Sequence, residues 1–368
     1  MTVYRPTAAR IDLDAIGHNV RALKPAQAEL MAVVKADGYG HGAVEVARAA
    51  LDAGATWLGV ALIEEGVVLR DSGVTAPILV LSEFPPGSEK DGLAAGLTPT
   101  VYTDRAIAAL AEAGEAMGRR VGVHVKVDTG MHRAGLYPPE DAPAFVRRVI
   151  DAGCELEGLW THFARAEEDE ETTRRQLEVF IGLLDRLGSH GIRPPIVHAA
   201  NSAAAILYPE THFGMVRIGI ALYGLDPGGG TGARAGIRPA MSVLSEVSAV
   251  RTLPAGESVS YGHRYRVEHG GVVATVPIGY ADGYRRALSS RADVLVGGRR
   301  RRVAGIVTMD QVLVDCGEEH VDVGDEVVLI GRQGDEEITA DELAGLCGTI
   351  NYEITCGIGP RVPREYVP

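Results

Sequence analysis

The chain has 368 residues, of which 46% are hydrophobic, 23% charged and only 5% aromatic. This composition excludes extensive disorder, and the length is better read as two domains than as one. Asp and Glu number 49 against 36 Lys and Arg, a formal net charge of -13, which leaves no electrostatic reason to seek nucleic acid or an anionic membrane.

The opening segment, MTVYRPTAARIDLDAIGHN, has no apolar stretch long enough for a secretory signal, and no later segment approaches a membrane span, so a cytoplasmic location is expected. ARIDL reads as a strand, with Asp14 placed to cap the helix that follows. From about residue 31 to 224 one pattern recurs: a short apolar run ends in polar or Gly residues and gives way to a helical segment. The runs begin at Met31, Trp57, Pro77, Thr98, Val121, Leu156, Pro195 and Met215. Eight strand candidates joined by crossovers predict a parallel (β/α)8 TIM barrel, an α/β fold, rather than an open sheet.

DPGGGTGARAG, after Gly224, reads as a linker; it lacks the GK[ST] ending of a nucleotide-binding loop. Beyond it lie short β runs with Gly turns, SVLSEVSAV, GVVATVPIG, ADVLVGG, RVAGIV, QVLVDCG and GDEVVLIG, which predict a second, mostly β domain. The boundaries expected are 1–13 for an N-terminal strand associated with the β domain, 14–235 for the barrel and 236–368 for the β domain. Arg299 to Arg302 beside Gly297 and Gly298 read as a solvated hairpin. Cys154, Cys316, Cys347 and Cys356 show no CxxC spacing and look like reduced thiols, and no metal site is expected.

Several residues fall where a barrel places its chemistry, at strand C-termini. Lys35, in MAVVKADGYGHG, can serve as a nucleophile if partly desolvated, or as an anion anchor or surface charge. In VGVHVKVDTGMHRAG the valines face one way and His124, Lys126 and Asp128 the other. Inward is preferable for the polar set, and a buried Lys126 then needs a countercharge, which Asp128 or carbamylation would meet; His124 fits a structural cluster. His162 in LWTHFA and Arg217 in MVRIGIALYG stand at the sixth and eighth strand ends. HAANSAA, with Asn201 and Ser202, can cap a helix or receive a phosphate. Tyr261, in VSYGHRY, sits in a turn of the second domain.

These segments, together with IGYADGYRR, TMDQ and the closing NYEITCGIGPRVPR, resemble the alanine racemases, pyridoxal-phosphate enzymes built from a barrel and a β domain, and the resemblance covers nearly the whole chain. It implies that Lys35 holds pyridoxal 5'-phosphate as an imine and is one of two catalytic bases. The other would be Tyr261, entering from the partner in a homodimer with shared active sites. It further implies that His162 links Tyr261 to Arg217, and that Arg217 faces the pyridine nitrogen. Tyr39, Ser202, Gly219, Ile220 and Tyr352 would hold the phosphate. Arg133 would meet the cofactor's phenolic oxygen and the substrate carboxylate, Met309 would offer that carboxylate an N–H, and Lys126 matches a carbamylated lysine. Tyr284 would narrow the entrance.

There are departures from the usual pattern: His132 precedes Arg133 in place of Gly, Trp160 replaces a frequent Tyr and Thr308 a frequent Cys. The activity implied is interconversion of L- and D-alanine, supplying D-alanine for peptidoglycan. Racemisation of serine or another small amino acid is the alternative. A related-fold decarboxylase is disfavoured by the intact Tyr261 motif, and a carrier protein without turnover by the presence of the whole final third.

Overall fold

The computed structural model describes residues 4–368; positions 1–3 of the expected opening stretch lie outside the described residues. The chain divides into two compact units. One comprises Ala15–Gly38 and Ala43–Arg238, the other the N-terminal stretch through Asp14, Tyr39–Gly42 and Pro239–Pro368.

The first unit is a closed parallel barrel of eight strands. In chain order they are Glu29–Val33, Trp57–Val60, Ile78–Val80, Thr98–Val101, Gly122–Lys126, Glu155–Trp160, Ile196–His198 and Met215–Ile218. Each of the eight apolar runs supplies one of them. The last strand pairs with the first, Glu29 opposite Met215 and Ala32 opposite Ile218, which closes the ring. Leu30, Met31, Leu58, Ile78, Leu79, Val216 and Ile218 are fully buried. Helices cover the outer face and side chains fill the inner one, so these strands are apolar almost without alternation.

Helix Glu170–Ser189 starts where the Asp169 carboxylate accepts the Thr172 N–H, and it buries Thr173, Gln176, Leu177, Phe180, Leu183 and Leu187 at helical spacing. Helix Leu13–Leu23 begins one residue earlier than expected, so Asp14 lies in its first turn instead of capping it. There its carboxylate still opposes the positive end of the helix dipole. The Gly-rich stretch after Gly224 is more ordered than a linker. The Asp226 carboxylate accepts the N–H groups of Gly230 (2.8 Å) and Gly232 (2.7 Å), and a short helix, Thr231–Ala235, follows.

The second unit is built on a large mixed sheet. Ala8–Asp12 lies between Met241–Glu246, antiparallel, and Arg364–Val367, parallel. The segment SVLSEVSAV divides into two strands, Met241–Glu246 and Ala249–Leu253. Asp293–Val296 and Arg299–Val303 form a hairpin whose turn, Gly297 and Gly298, has φ of 61° and 72°, values for which glycine is the natural choice. Its arginines are ion-paired rather than merely solvated. Arg300 meets Glu336 (3.0 Å) and Glu342 (2.6 Å), Arg302 meets Asp293 (3.0 Å), and Arg299 and Arg301 share Glu319.

Among the described residues no helix is long and apolar enough to cross a membrane, and no group of three or more His, Cys, Asp or Glu is placed to hold a metal ion.

Candidate active site

Lys35 follows the first barrel strand, where the chain enters an unusual turn. Ala36, Asp37, Gly38 and Tyr39 all take left-handed φ values, between 51° and 60°. For the non-glycine residues this costs about 1–2 kcal/mol each. Side chains hold the turn in place. The Glu65 carboxylate accepts the Ala36 N–H (2.7 Å) with one oxygen and the Ala61 N–H (2.8 Å) with the other, and Asp37 accepts the Ala43 N–H (2.9 Å). Lys35 thus projects half-buried from a strained, tethered turn at the barrel's C-terminal end.

Lys126 ends the fifth strand and is 4% exposed. Its ammonium lies 4.8 Å from the centre of the Trp160 ring. The expected countercharge is engaged elsewhere: one Asp128 oxygen accepts the N–H groups of Gly130, Met131 and His132 at 2.9–3.0 Å, shaping the loop that carries Arg133. Burial, then Arg133 and Arg217, bring the Lys126 ammonium down to about 8.

Arg217, in the eighth strand, is 3% exposed and tightly held. It donates to the carbonyls of Thr161 (2.8 Å) and Ala199 (3.1 Å), and lies 4.7 Å from the Trp160 ring centre. It also donates to Nδ1 of His162 (3.3 Å) and Nδ1 of His198 (3.1 Å). His162 is held well below the ordinary histidine range by burial first and then by Arg217, Lys126, Arg133 and Lys35. It is therefore neutral, accepts through Nδ1, and carries its proton on Nε2. Gln176 fixes the same loop by donating to the His162 carbonyl (3.2 Å) and accepting the Ala164 N–H (2.9 Å).

Ser202 opens the short helix Ser202–Leu207 and Asn201 caps it. The Ser202 hydroxyl accepts the Gly219 N–H (2.9 Å), bringing together three of the residues expected at a phosphate: Ser202, Gly219 and the adjacent Ile220.

In the β-rich unit, Tyr39 and Tyr352 stand with ring centres 6.0 Å apart. Tyr261 is 74% exposed and follows Ser260, which has φ of 65°. The Ser260 hydroxyl donates to the Ile306 carbonyl (3.1 Å) and accepts the Ile306 N–H (3.0 Å), which anchors the Tyr261 turn. Thr308, where Cys is frequent, uses its hydroxyl to donate to the Gln311 carbonyl (2.7 Å) and closes the turn that presents Met309, 52% exposed. Tyr284 requires a correction. It is 3% exposed, its hydroxyl is buried without a hydrogen-bond partner, and burial with Asp293 and Cys347 raises its pKa. It packs inside the unit and lines no entrance. The exposed tyrosine of IGYADGYRR is Tyr280, whose N–H bonds to the Thr308 carbonyl (2.9 Å) beside Met309.

The sequence profiles of two domains match: alanine racemase N-terminal domain over residues 11–227 and alanine racemase C-terminal domain over 240–366. An alanine racemase from Symbiobacterium thermophilum is 51% identical over 366 residues, covering 98% of this chain and 97% of its own. The crystal structure of an alanine racemase from Streptomyces lavendulae, a D-cycloserine producer, superposes with a TM-score of 0.94 at 42% identity, over 100% of this chain and 98% of that one. The alanine racemase from Bacillus anthracis with bound L-Ala-P superposes with a TM-score of 0.93 at 39% identity, over 100% and 96%.

The chain belongs to the alanine racemase family.

The cofactor of the alanine racemase family is pyridoxal 5'-phosphate, and the barrel residues fit it. Lys35, Lys126, Arg133 and Arg217 act on one another or on His162, and among the described residues no carboxylate lies within 4.0 Å of the buried Lys126 ammonium. Such a concentration of positive charge favours an anionic occupant. In this member of the alanine racemase family Trp160 supplies a π face shared by Lys126 and Arg217, which partly offsets their mutual repulsion. Sequence reading missed Glu65, Gln176, Ser260 and Tyr280, because each acts through a contact that only the fold creates.

Proposed function

We propose that this chain is a pyridoxal-phosphate-dependent racemase that interconverts L- and D-alanine, working as a homodimer in the cytoplasm and supplying D-alanine for peptidoglycan. The observation that carries the reading is the barrel-mouth cluster, Lys35 with Lys126, Arg133 and Arg217 around a neutral His162. The bound cofactor supplies an aldehyde that captures an amine and a conjugated ring that draws electron density from the substrate Cα.

Inverting a stereocentre by proton transfer needs a base on each face. Lys35 Nζ serves one face, taking or returning the proton on the D side. On the other, the Oη of Tyr261 of the partner subunit serves the L side; its 74% exposure in the single chain suits a residue completed by a second copy. Free tyrosine titrates about 3 units above neutrality, a gap of roughly 4 kcal/mol. His162 narrows that gap as a neutral donor: Nδ1 accepts from Arg217, which leaves Nε2–H to stabilise a phenolate oxygen. Arg217 is too well pinned, and too basic, to hand over a proton, so it leaves the ring nitrogen unprotonated.

Ser202, Gly219, Ile220, Tyr39 and Tyr352 hold the phosphate through hydroxyl and N–H donors. Arg133 and the Met309 N–H receive the substrate carboxylate. Lys126, as a carbamate, turns from a competitor of Arg133 into its partner. With alanine, Lys35→Ala is expected to abolish both racemisation and the imine absorbance at about 420 nm. Tyr261→Phe is expected to keep the absorbance and to lose α-proton exchange from L-alanine more than from D-alanine. Equal exchange from both enantiomers would refute the assignment of faces. A chiral assay against a panel of small L-amino acids tests the substrate.

A further inference from the structure

Two fully buried histidines, His124 and His198, have no part in the reaction as described so far. Arginine only donates hydrogen bonds, and that fixes their protons. Arg217 Nη1 donates to His198 Nδ1 (3.1 Å), so neutral His198 carries its proton on Nε2. His198 Nε2 lies 2.9 Å from His124 Nδ1 and donates to it, so His124 also carries its proton on Nε2. That last N–H is buried without a hydrogen-bond partner, and the nearest anion is Glu157, 3.9 Å away. Both imidazoles are kept neutral. Burial and Arg217 hold His124 near 3, and they hold His198 well below its ordinary range with His124 adding to the effect.

The fold makes room for this arrangement. A bulge in the sixth strand, where Val123 pairs with Leu156 and His124 with Gly158, leaves Glu157 as the extra residue. A Cβ on Gly158 would stand 2.3 Å from His124 Nδ1, the accepting atom. Trp160 stacks on His198 at 5.5 Å with 12° between planes, and Trp57 packs against His124 at 5.4 Å. Glu157 opens on a cavity of about 430 Å³ that it shares with Arg119, Gly122 and Glu155, at the opposite end of the barrel from Lys35. Packing alone would be served at lower cost by apolar side chains.

We propose that His198, His124 and Glu157 form a one-way hydrogen-bond chain through the barrel interior that positions the Arg217 guanidinium. His124 is thereby a positioning residue for the reaction, and Glu157 is the terminal acceptor, reached directly or through water. This rests on the reading that Arg217 faces the cofactor ring.

The test uses the holoenzyme. Histidine ¹⁵N spectra are expected to show His124 and His198 as Nε2–H tautomers from about pH 6 to 9, since both are held far below that range; an Nδ1–H tautomer or an imidazolium at either overturns the chain. His124→Phe removes the acceptor, whereas His124→Asn keeps one near the place of Nδ1. The Phe variant is expected to bind cofactor fully with a shifted absorption maximum, and to lose about tenfold in kcat at unchanged KM, the order expected for one lost buried hydrogen bond. The Asn variant restores most of the loss. Equal impairment of the two, or a parental Phe variant, overturns the proposal.

Glu157→Leu, at a partly exposed position, is the second variant should His124→Phe not fold. It is expected to shift the spectrum in the same direction, and no shift counts against the chain. Arg217→Gln separates the two levels. If it leaves spectrum and kcat unchanged, the reading of Arg217 fails and the chain with it. If it impairs both while His124→Phe is parental, the chain alone fails.

Discussion

Lys126 is the residue whose environment departs most from what its type prefers. Burial with Arg133 and Arg217 nearby outweighs Asp128 and brings its ammonium to about 8. An unmodified Lys126 therefore destabilises the fold below that pH. Between about 8 and the ordinary lysine range the unfolded chain binds more protons, so stability rises with pH there. Carbamylation removes the penalty and needs the neutral amine. Stripping carbon dioxide is expected to lower activity, and bicarbonate to restore it, faster above pH 8 than below. Recovery rates measured across that range check this, and recovery indifferent to bicarbonate would count against the carbamate. At the same scale, two tyrosines four positions apart in IGYADGYRR have opposite fates, Tyr280 exposed and Tyr284 buried. Nothing in the residue type distinguishes them; packing beneath Asp293 and Cys347 does.

Among the elements, the left-handed turn after Lys35 was legible only in part. Gly38, Gly40 and Gly42 mark a turn, but Ala36, Asp37 and Tyr39 adopt positive φ against their own preference. Glu65, from a helix about thirty positions away, compensates by accepting the Ala36 N–H. Gly40 allows the closest approach: a Cβ there would lie 2.2 Å from the Thr355 carbonyl oxygen at a φ of 85°. Gly40→Ala is expected to cost about 1–3 kcal/mol and to separate Tyr39 from the helix Asn351–Cys356, which carries Tyr352. Thermal unfolding measures the first effect. Cofactor affinity, expected to weaken with Tyr39 and Tyr352 out of register, measures the second.

At the scale of the whole molecule, the two-base reading requires that Lys35 and Tyr261 of one site come from different chains. Mixing Lys35→Ala chains with Tyr261→Phe chains distinguishes shared from self-contained sites. Each variant alone is expected to be inactive. After random reassortment half of the dimers are mixed and one site in each is intact, so about a quarter of the parental activity should return, with the symmetric dimers contributing none. Activity that fails to return after verified subunit exchange would place both bases within one chain.

The sequence by itself determined the barrel, because eight apolar runs at regular spacing have one economical closure. It also determined the change to a β-rich unit, because Gly-punctuated short runs favour sheets over helices. Through its motifs it pointed to Lys35, Lys126, Arg133, His162 and Arg217, whose strand ends converge. The tertiary structure decided what those residues are to one another. It turned Asp128 from a countercharge into the organiser of the Arg133 loop and replaced Tyr284 by Tyr280. It also aligned His198 and His124 behind Arg217. Those relations depend on burial and on distances of about 3 Å between residues far apart in the chain, which local pattern does not encode.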